Sequence, residues 1–177
     1  MNIIILGPQG SGKGTQAQLL VDKFGLQHFE AGKIFRSIAD SDNQHAETIK
    51  TALNSGNLVP DEFVRLITWD FINKHKGQGF IFDGYPRSVA QYEQLKDMLA
   101  RFGQKIDYVI DIEISEAESV KRLSARRQCA VCGEIFNLIT EPPTCDHNQL
   151  TQREDDKPEA IKKRLEIYRA QTHPVFE

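Results

Sequence analysis

The 177-residue sequence has no apolar run near the roughly 20 residues that a membrane-spanning helix needs. Its first residues lack the basic stretch and apolar core of a secretory signal. The net charge is only −3, and the charges of both signs are interspersed. These absences predict a cytoplasmic protein with neither a nucleic-acid nor a membrane partner. At this length we expect one α/β domain with a small insertion.

Cysteine is also scarce: there are three, all between Cys129 and Cys145. An odd number in one segment argues against a disulfide scaffold and favours a metal site. The spacing Cys129-x-x-Cys132 lets two thiolates bind one tetrahedral ion, and Cys145 supplies a third. His147 and Asp146 are the candidates for the fourth ligand, and imidazole is the more usual zinc partner. A four-ligand zinc ion would be structural; the alternative is three reduced thiols without metal.

A zinc-ribbon that binds nucleic acid is a further interpretation of the cysteines. The net charge of −3 argues against it. The cysteines also lack the interleaved basic and aromatic residues of such modules.

A glycine-rich stretch, GPQGSGKGT at residues 7–15, follows the apolar run of residues 3–6 and opens an amphipathic segment. This order predicts a buried strand, a phosphate-binding loop and a helix. The glycines let backbone amides approach phosphate oxygens, and Lys13 adds a mobile positive charge. The pattern departs from the strict Walker A motif because Gly14 separates Lys13 from Thr15. A turn that binds nothing is the alternative.

A second apolar run, residues 80–82, leads into Asp83, Gly84 and Arg87. Ligands bind at the carboxyl ends of parallel strands, so Asp83 is placed to hold Mg²⁺ through water. Arg87 could bind a phosphate through two parallel hydrogen bonds. The alternative makes Asp83 a helix cap and Arg87 a surface charge.

Two helices are predicted from their start signals. One begins after Pro60, and its apolar residues are interpreted as core: Phe63, Leu66, Ile67, Trp69 and Phe71. Another begins at a capping box of Ser115 and Glu118 and would carry Arg122 and Arg126 on one face. These arginines could converge on one polyphosphate; the alternative is two surface charges.

Several of these motifs, spread over essentially the whole chain, resemble the nucleoside monophosphate kinases, adenylate kinase above all. The loop GPQGSGKGT is similar to the family's phosphate loop, and GNLVPDE at residues 56–62 looks like its monophosphate-binding segment. DGYPR at residues 83–87 is similar to its Asp-Gly-Phe-Pro-Arg signature. The resemblance implies a P-loop NTPase-type α/β fold with a parallel sheet flanked by helices. It further implies a core (1–30, 60–122, 157–177), a helical monophosphate-binding insertion (31–59) and a small lid (123–156).

The implied reaction is reversible transfer of the γ-phosphoryl group of MgATP to AMP, giving two ADP. The resemblance implies these ATP-binding residues: Gly10, Ser11, Gly12, Lys13, Gly14, Thr15, Arg122 and Arg126. The implied AMP-binding residues are Ala31, Gly32, Arg36, Leu58, Val59, Gly84, Arg87 and Gln91, the last matching the glutamine that reads the adenine edge. The implied catalytic residues are Lys13, Arg87, Arg122, Arg126, Arg153 and Arg164. Asp83 would hold Mg²⁺ through water, the cysteine cluster would hold structural zinc, and we expect a monomer.

Some positions depart from the family pattern. Where adenylate kinases usually have Ser-Thr-Gly-Asp, this chain has Glu30-Ala31-Gly32-Lys33, which removes a hydroxyl and replaces an acid with a base. Counting back from Gln152-Arg153 along the family pattern points to Asp146 as the fourth metal ligand. The sequence also stops at residue 177, where family members continue with another strand and helix. These departures leave two alternatives: a kinase for another nucleoside monophosphate, or an inactive nucleotide-binding protein.

Overall fold

A computed structural model describes residues 1–140 and 142–176. The main sheet has four parallel strands: β1 (Asn2–Leu6), β2 (Gln27–Glu30), β3 (Phe80–Asp83) and β4 (Tyr108–Asp111). Their order across the sheet is β2-β3-β1-β4. Since all four are parallel, their carboxyl ends meet along one edge of the sheet.

Helices connect these strands and flank the sheet. They are α1 (Lys13–Phe24), α2 (Ala31–Ala39), α3 (Ala46–Asn54), α4 (Asp61–Lys74), α5 (Val89–Ala100), α6 (Glu116–Ala125) and α7 (Pro158–Ile167). A π-helical turn, Tyr168–Thr172, and a 3₁₀ turn, His173–Phe176, follow α7. The predicted fold class, a parallel sheet flanked by helices, is confirmed. In the part of the chain that the structure describes, no helix is long and apolar enough to cross a membrane.

A second, small sheet carries the cysteines. Its antiparallel strands are β5 (Arg126–Cys129), β6 (Ile135–Asn137) and β7 (Leu150–Thr151), in the order β6-β5-β7. A 3₁₀ turn, Glu154–Asp156, leads from it into α7. The small sheet thus branches from the main domain between α6 and α7.

The core lies on both faces of the main sheet. Alternate residues of β1 pack on opposite faces, Ile4 in one hydrophobic cluster and Ile3 in the other. The larger cluster is rich in aromatic rings: the ring of Phe29 lies 5.2 Å from that of Phe71 and 5.6 Å from that of Tyr85. Burial on both faces explains why β1 and β3 are continuous apolar runs.

Two details of the predicted helices are wrong. Helix α6 ends at Ala125, so Arg126 is not on the same helical face as Arg122 but opens β5. The chain extends there because Arg126 pairs with Asn137 of β6 and its guanidinium binds the Asp156 carboxylate. On α4, Leu66 is exposed and is the one wrong member of the predicted core set. The other four, Phe63, Ile67, Trp69 and Phe71, pack against the larger hydrophobic cluster, and the most buried positions are Val64, Thr68 and Ile72.

We predict that Phe29→Ala lowers the free energy of unfolding by about 3–5 kcal/mol, because it empties a fully buried ring site. Leu66→Ala is the matched control, since that side chain is 56% exposed. The control should change the free energy by about 0.5 kcal/mol or less. Urea denaturation of both variants measures the two values. Equal losses would show that the core is not centred on Phe29.

Candidate active site

The carboxyl edge of the main sheet opens into a cavity of about 1110 Å³. The glycine-rich loop and the end of β3 form its floor, and residues from α2, α6, β5 and α7 line its walls. This is the position at which open α/β sheets bind ligands. The cavity is therefore the candidate active site.

Carbonyl oxygens of the glycine-rich loop accept hydrogen bonds from side chains of the protein. Lys13 Nζ donates to the carbonyls of Gly7 and Pro8, both at 2.8 Å. The Ser119 hydroxyl of α6 donates to the carbonyl of Gln9. Helix α1 starts at Lys13, and its first-turn amides have no carbonyl partner within the helix. These amides and the helix dipole make the loop an anion-binding site.

The structure brings seven predicted cationic residues to this one cavity. They are Lys13, Arg36, Arg87, Arg122, Arg126, Arg153 and Arg164. Within the described residues, four of them have no carboxylate oxygen within 4.0 Å: Lys13, Arg36, Arg87 and Arg153. The cavity therefore carries a surplus of positive charge.

Burial, together with the neighbouring charges, perturbs the cations themselves. Burial, opposed by the Asp83 carboxylate, lowers the pKa of Lys13 to about 7. Burial also lowers the pKa of Arg153 and of Arg164 to about 10, and the neighbouring arginines add to this effect. Each shift means that the charged form is disfavoured without a ligand. An anion in the cavity would relieve this unfavourable energy.

Two acids after the small sheet balance part of the charge. Arg126 Nε donates to Asp156 Oδ2 at 2.7 Å, and Arg164 lies 2.9 Å from Asp155 Oδ2. Burial alone would raise the pKa of Asp155, but Arg164 and Arg126 hold it below its usual value. Neither acid is among the predicted site residues, although both follow closely after Arg153 in the sequence. They join β5, on the small sheet, to α7.

Asp83 ends β3 at the floor of the cavity and is 7% exposed. His28 Nε2 lies 3.6 Å from its Oδ2, a neighbour that the sequence analysis missed. Gly14 of the loop also lies against this carboxylate. The Asp83 carboxylate, lying between the loop and the end of β3, is a suitable ligand for a hydrated Mg²⁺ ion.

The residues predicted to bind AMP fall into two groups. Gly32, Arg36, Leu58, Gly84 and Arg87 line the cavity. The others lie beneath its surface: Ala31 and Val59 pack in the larger hydrophobic cluster, and Gln91 is 3% exposed. Of the predicted ATP-binding residues, Ser11 is similarly buried, at 7% exposure, while the others line the cavity. The unpredicted lining residues include Glu30 and Lys33.

Two hydrogen bonds hold the Gln91 side chain. Its Oε1 accepts from the backbone N–H of Arg87 at 2.8 Å, and its Nε2 donates to Asp61 Oδ1 at 2.6 Å. Thr172 of the π-helical turn donates to the carbonyl of the same Arg87 residue at 3.0 Å. Both polar groups of the Arg87 main chain are thus held by side chains.

The cysteine cluster fits a tetrahedral metal ion. The ligand atoms of Cys129, Cys132, Cys145 and His147 all lie within 4.8 Å of one another, and Asp146 is not part of this group. Backbone amides of Cys132 and Val131 lower the pKa of the Cys129 thiol to about 6. Three thiols and one imidazole are a donor set typical of structural zinc, with no open position for catalysis.

Comparison with known proteins points to one family. The family model described as adenylate kinase matches residues 5–177. An adenylate kinase of Thermosipho africanus is 42% identical over 100% of this chain and 86% of its own length. One of Caldicellulosiruptor saccharolyticus is 43% identical over the same shares. One of Bacillus subtilis is 38% identical over 100% of this chain and 85% of its own.

We predict that the purified protein binds one zinc ion and that His147→Ala, but not Asp146→Ala, lowers its zinc affinity by about 10-fold or more. The reason is that the His147 ring nitrogen lies with the three thiols, whereas the Asp146 carboxylate does not. Competition with a chromogenic chelator measures the affinity of both variants. Loss of affinity in the Asp146 variant alone would make the carboxylate the fourth ligand.

Proposed function

We propose specific roles for the cleft residues of this chain, which belongs to the adenylate kinase family and catalyses reversible phosphoryl transfer between ATP and AMP, giving ADP. The observation that carries the proposal is the convergence of seven cations on one cavity. Two polyphosphates that face each other would neutralise this charge. Within the described residues, the cavity's acids balance only part of it.

The ATP phosphates bind to the glycine-rich loop. The amides of residues 10–15 and the ammonium group of Lys13 contact the phosphate oxygens, and Arg122 and Arg126 cover them from the other side. This assignment is supported by the loop carbonyls, which already accept hydrogen bonds from Lys13 and Ser119. The α1 dipole adds to this attraction.

AMP binds on the side of the cavity formed by α2 and the end of β3. Arg36 and Arg87 bind its phosphate beside Gly32 and Gly84. Ala31, Leu58 and Val59 form the apolar surroundings of the base, and Gln91 reads the adenine edge. Support comes from the two arginines, which lack a carboxylate partner among the described residues.

Catalysis needs no general base, because the acceptor phosphate is already an anion at neutral pH. The residues act by alignment and by stabilising charge on the transferring group, which Arg153 and Arg164 approach from the small sheet and α7. Mg²⁺ held by Asp83 through water would supply further positive charge when bound. Lys13, Arg87 and the other arginines orient both phosphates.

Two mobile units close over these substrates. We assign residues 31–59 to an AMP-binding unit, residues 123–156 to a lid, and residues 1–30, 60–122 and 157–177 to the core. Closure excludes water, which would otherwise accept the phosphoryl group. The contacts of Asp155 and Asp156 with Arg126 and Arg164 support coupling of the lid to α7.

A broader acceptor range is the second candidate. Glu30 and Lys33 line the cavity, and Ala31 offers no hydroxyl. An assay with AMP, GMP, CMP and UMP as acceptors separates the two: AMP should be preferred by at least about 10-fold. Comparable rates with CMP or UMP would overturn the assignment of AMP as the substrate.

We also propose that the chain acts as a monomer in the cytoplasm. One chain supplies all seven of the predicted cationic residues in the cavity. The three cysteines are free and gathered around one point, as expected for reduced thiols in a reducing compartment.

We predict that Lys13→Met lowers turnover by about 10³-fold or more, because a buried cation on the transferring phosphates is lost. Lys23→Met is the matched control: this lysine lies exposed on the same helix. ADP formation from ATP and AMP measures both, with circular dichroism as the check on folding. Near-normal activity of the Lys13 variant would refute the assignment.

We also predict that ATP binding takes up protons at alkaline pH. The pKa of Lys13 is lowered to about 7, so much of this group is neutral at pH 8. Phosphate raises the pKa and restores the charge, so Lys13 should take up more of a proton on binding at pH 8 than at pH 6. Calorimetry in buffers of different ionisation enthalpy measures this uptake at fixed ATP. Equal uptake in Lys13→Met would assign the proton to another group.

A further inference from the structure

The orientation of the Gln91 amide is fixed by its two partners. An amide oxygen and an amide nitrogen have nearly the same shape, so hydrogen-bond partners decide which way the group points. The backbone N–H of Arg87 can only donate, and the Asp61 carboxylate accepts. Only one arrangement satisfies both, with Oε1 toward Arg87 at 2.8 Å and Nε2 toward Asp61 at 2.6 Å.

The reversed amide would be strongly disfavoured. It would set the amide N–H groups against the N–H of Arg87 and the amide oxygen against the Asp61 carboxylate. Gln91 is 3% exposed, so water could not replace the two lost hydrogen bonds. The main-chain N–H of Arg87 and the Asp61 carboxylate both favour the observed orientation, and Asp61 is the partner whose contribution a side-chain substitution can remove.

The fixed orientation determines what the amide can offer to a base. After these two bonds, Oε1 keeps one lone pair and Nε2 keeps one N–H. Adenine presents its amino donor beside the ring acceptor N1. Guanine presents the reverse order, a carbonyl acceptor beside a ring N–H donor. In one seating of the base, the locked amide complements adenine and opposes guanine.

We propose that Asp61 is a specificity-determining residue, whose carboxylate holds the Gln91 amide in the orientation that accepts adenine and rejects guanine. Asp61 opens α4, directly after the segment that contains Leu58 and Val59. This inference rests on the proposed function, in which Gln91 reads the base. The discrimination lies in the order of donor and acceptor rather than in the size of the pocket.

The test is the ratio of kcat/KM for AMP to kcat/KM for GMP, with ATP as the donor. Asp61→Asn can present either an oxygen or an N–H to Gln91, so it removes the carboxylate's opposition to the reversed amide and leaves only the N–H of Arg87 to oppose it. We expect the ratio to fall by about 10-fold or more, with lower activity on AMP and higher activity on GMP, while the KM for ATP stays unchanged. Because both substrates are measured on one protein, a partly unfolded variant leaves the ratio intact.

Three further variants interpret the result. Glu62→Gln is the matched control, because Glu62 is the next acid on α4 and is exposed, so its ratio should stay at the wild-type value. Gln91→Leu should also lower the ratio, and combining it with Asp61→Asn should lower the ratio no further. If Gln91→Leu lowers the ratio and Asp61→Asn does not, the role of Asp61 is wrong. If Gln91→Leu leaves the ratio unchanged, base reading by Gln91 is wrong, and the role of Asp61 falls with it.

Discussion

Burial of several mutually repelling cations in the central cavity is the constraint on which the rest of the structure depends. Lysine and arginine side chains are rarely gathered out of water without partners, because burial disfavours their charge. The lowered pKa values of Lys13, Arg153 and Arg164 record this unfavourable energy. This unfavourable energy arises at the position where two anionic substrates meet. The energy released when they bind is therefore available to align them.

The surrounding architecture holds these charges in place. Strands β1 and β3 are buried on both faces, so the loop and Asp83 at their ends rest on a rigid base. Side chains then fix the backbone of the site: Gln91 bonds the nearby Arg87 N–H, while Ser119 and Thr172, both distant in sequence, bond the carbonyls of Gln9 and Arg87. Asp155 and Asp156, in the 3₁₀ turn that follows the small sheet, join this sheet to α7 through their ion pairs. The cavity is thus fixed on its core side and joined by ion pairs to the small sheet.

The sequence predicted those features that depend on local order along the chain. Strand, loop, lysine and helix follow one another within residues 3–24, and the apolar runs of β1 and β3 lie next to their functional ends. The ending of α6 before Arg126 was not predictable in this way, because it depends on Asn137 and Asp156, which follow later in the chain. The bond between Gln91 and Asp61 spans 30 residues and leaves no local pattern. The cysteine cluster was predicted from spacing, but only the folded chain distinguishes His147 from Asp146.

The central claim is that one cavity holds two nucleotides with their phosphates facing. Titration calorimetry with diadenosine pentaphosphate, which carries two adenosines on one polyphosphate, tests it most directly. The account predicts that one molecule binds per chain and that the saturated protein binds neither ATP nor AMP. Binding of two molecules per chain, or continued binding of AMP to the saturated protein, would contradict it.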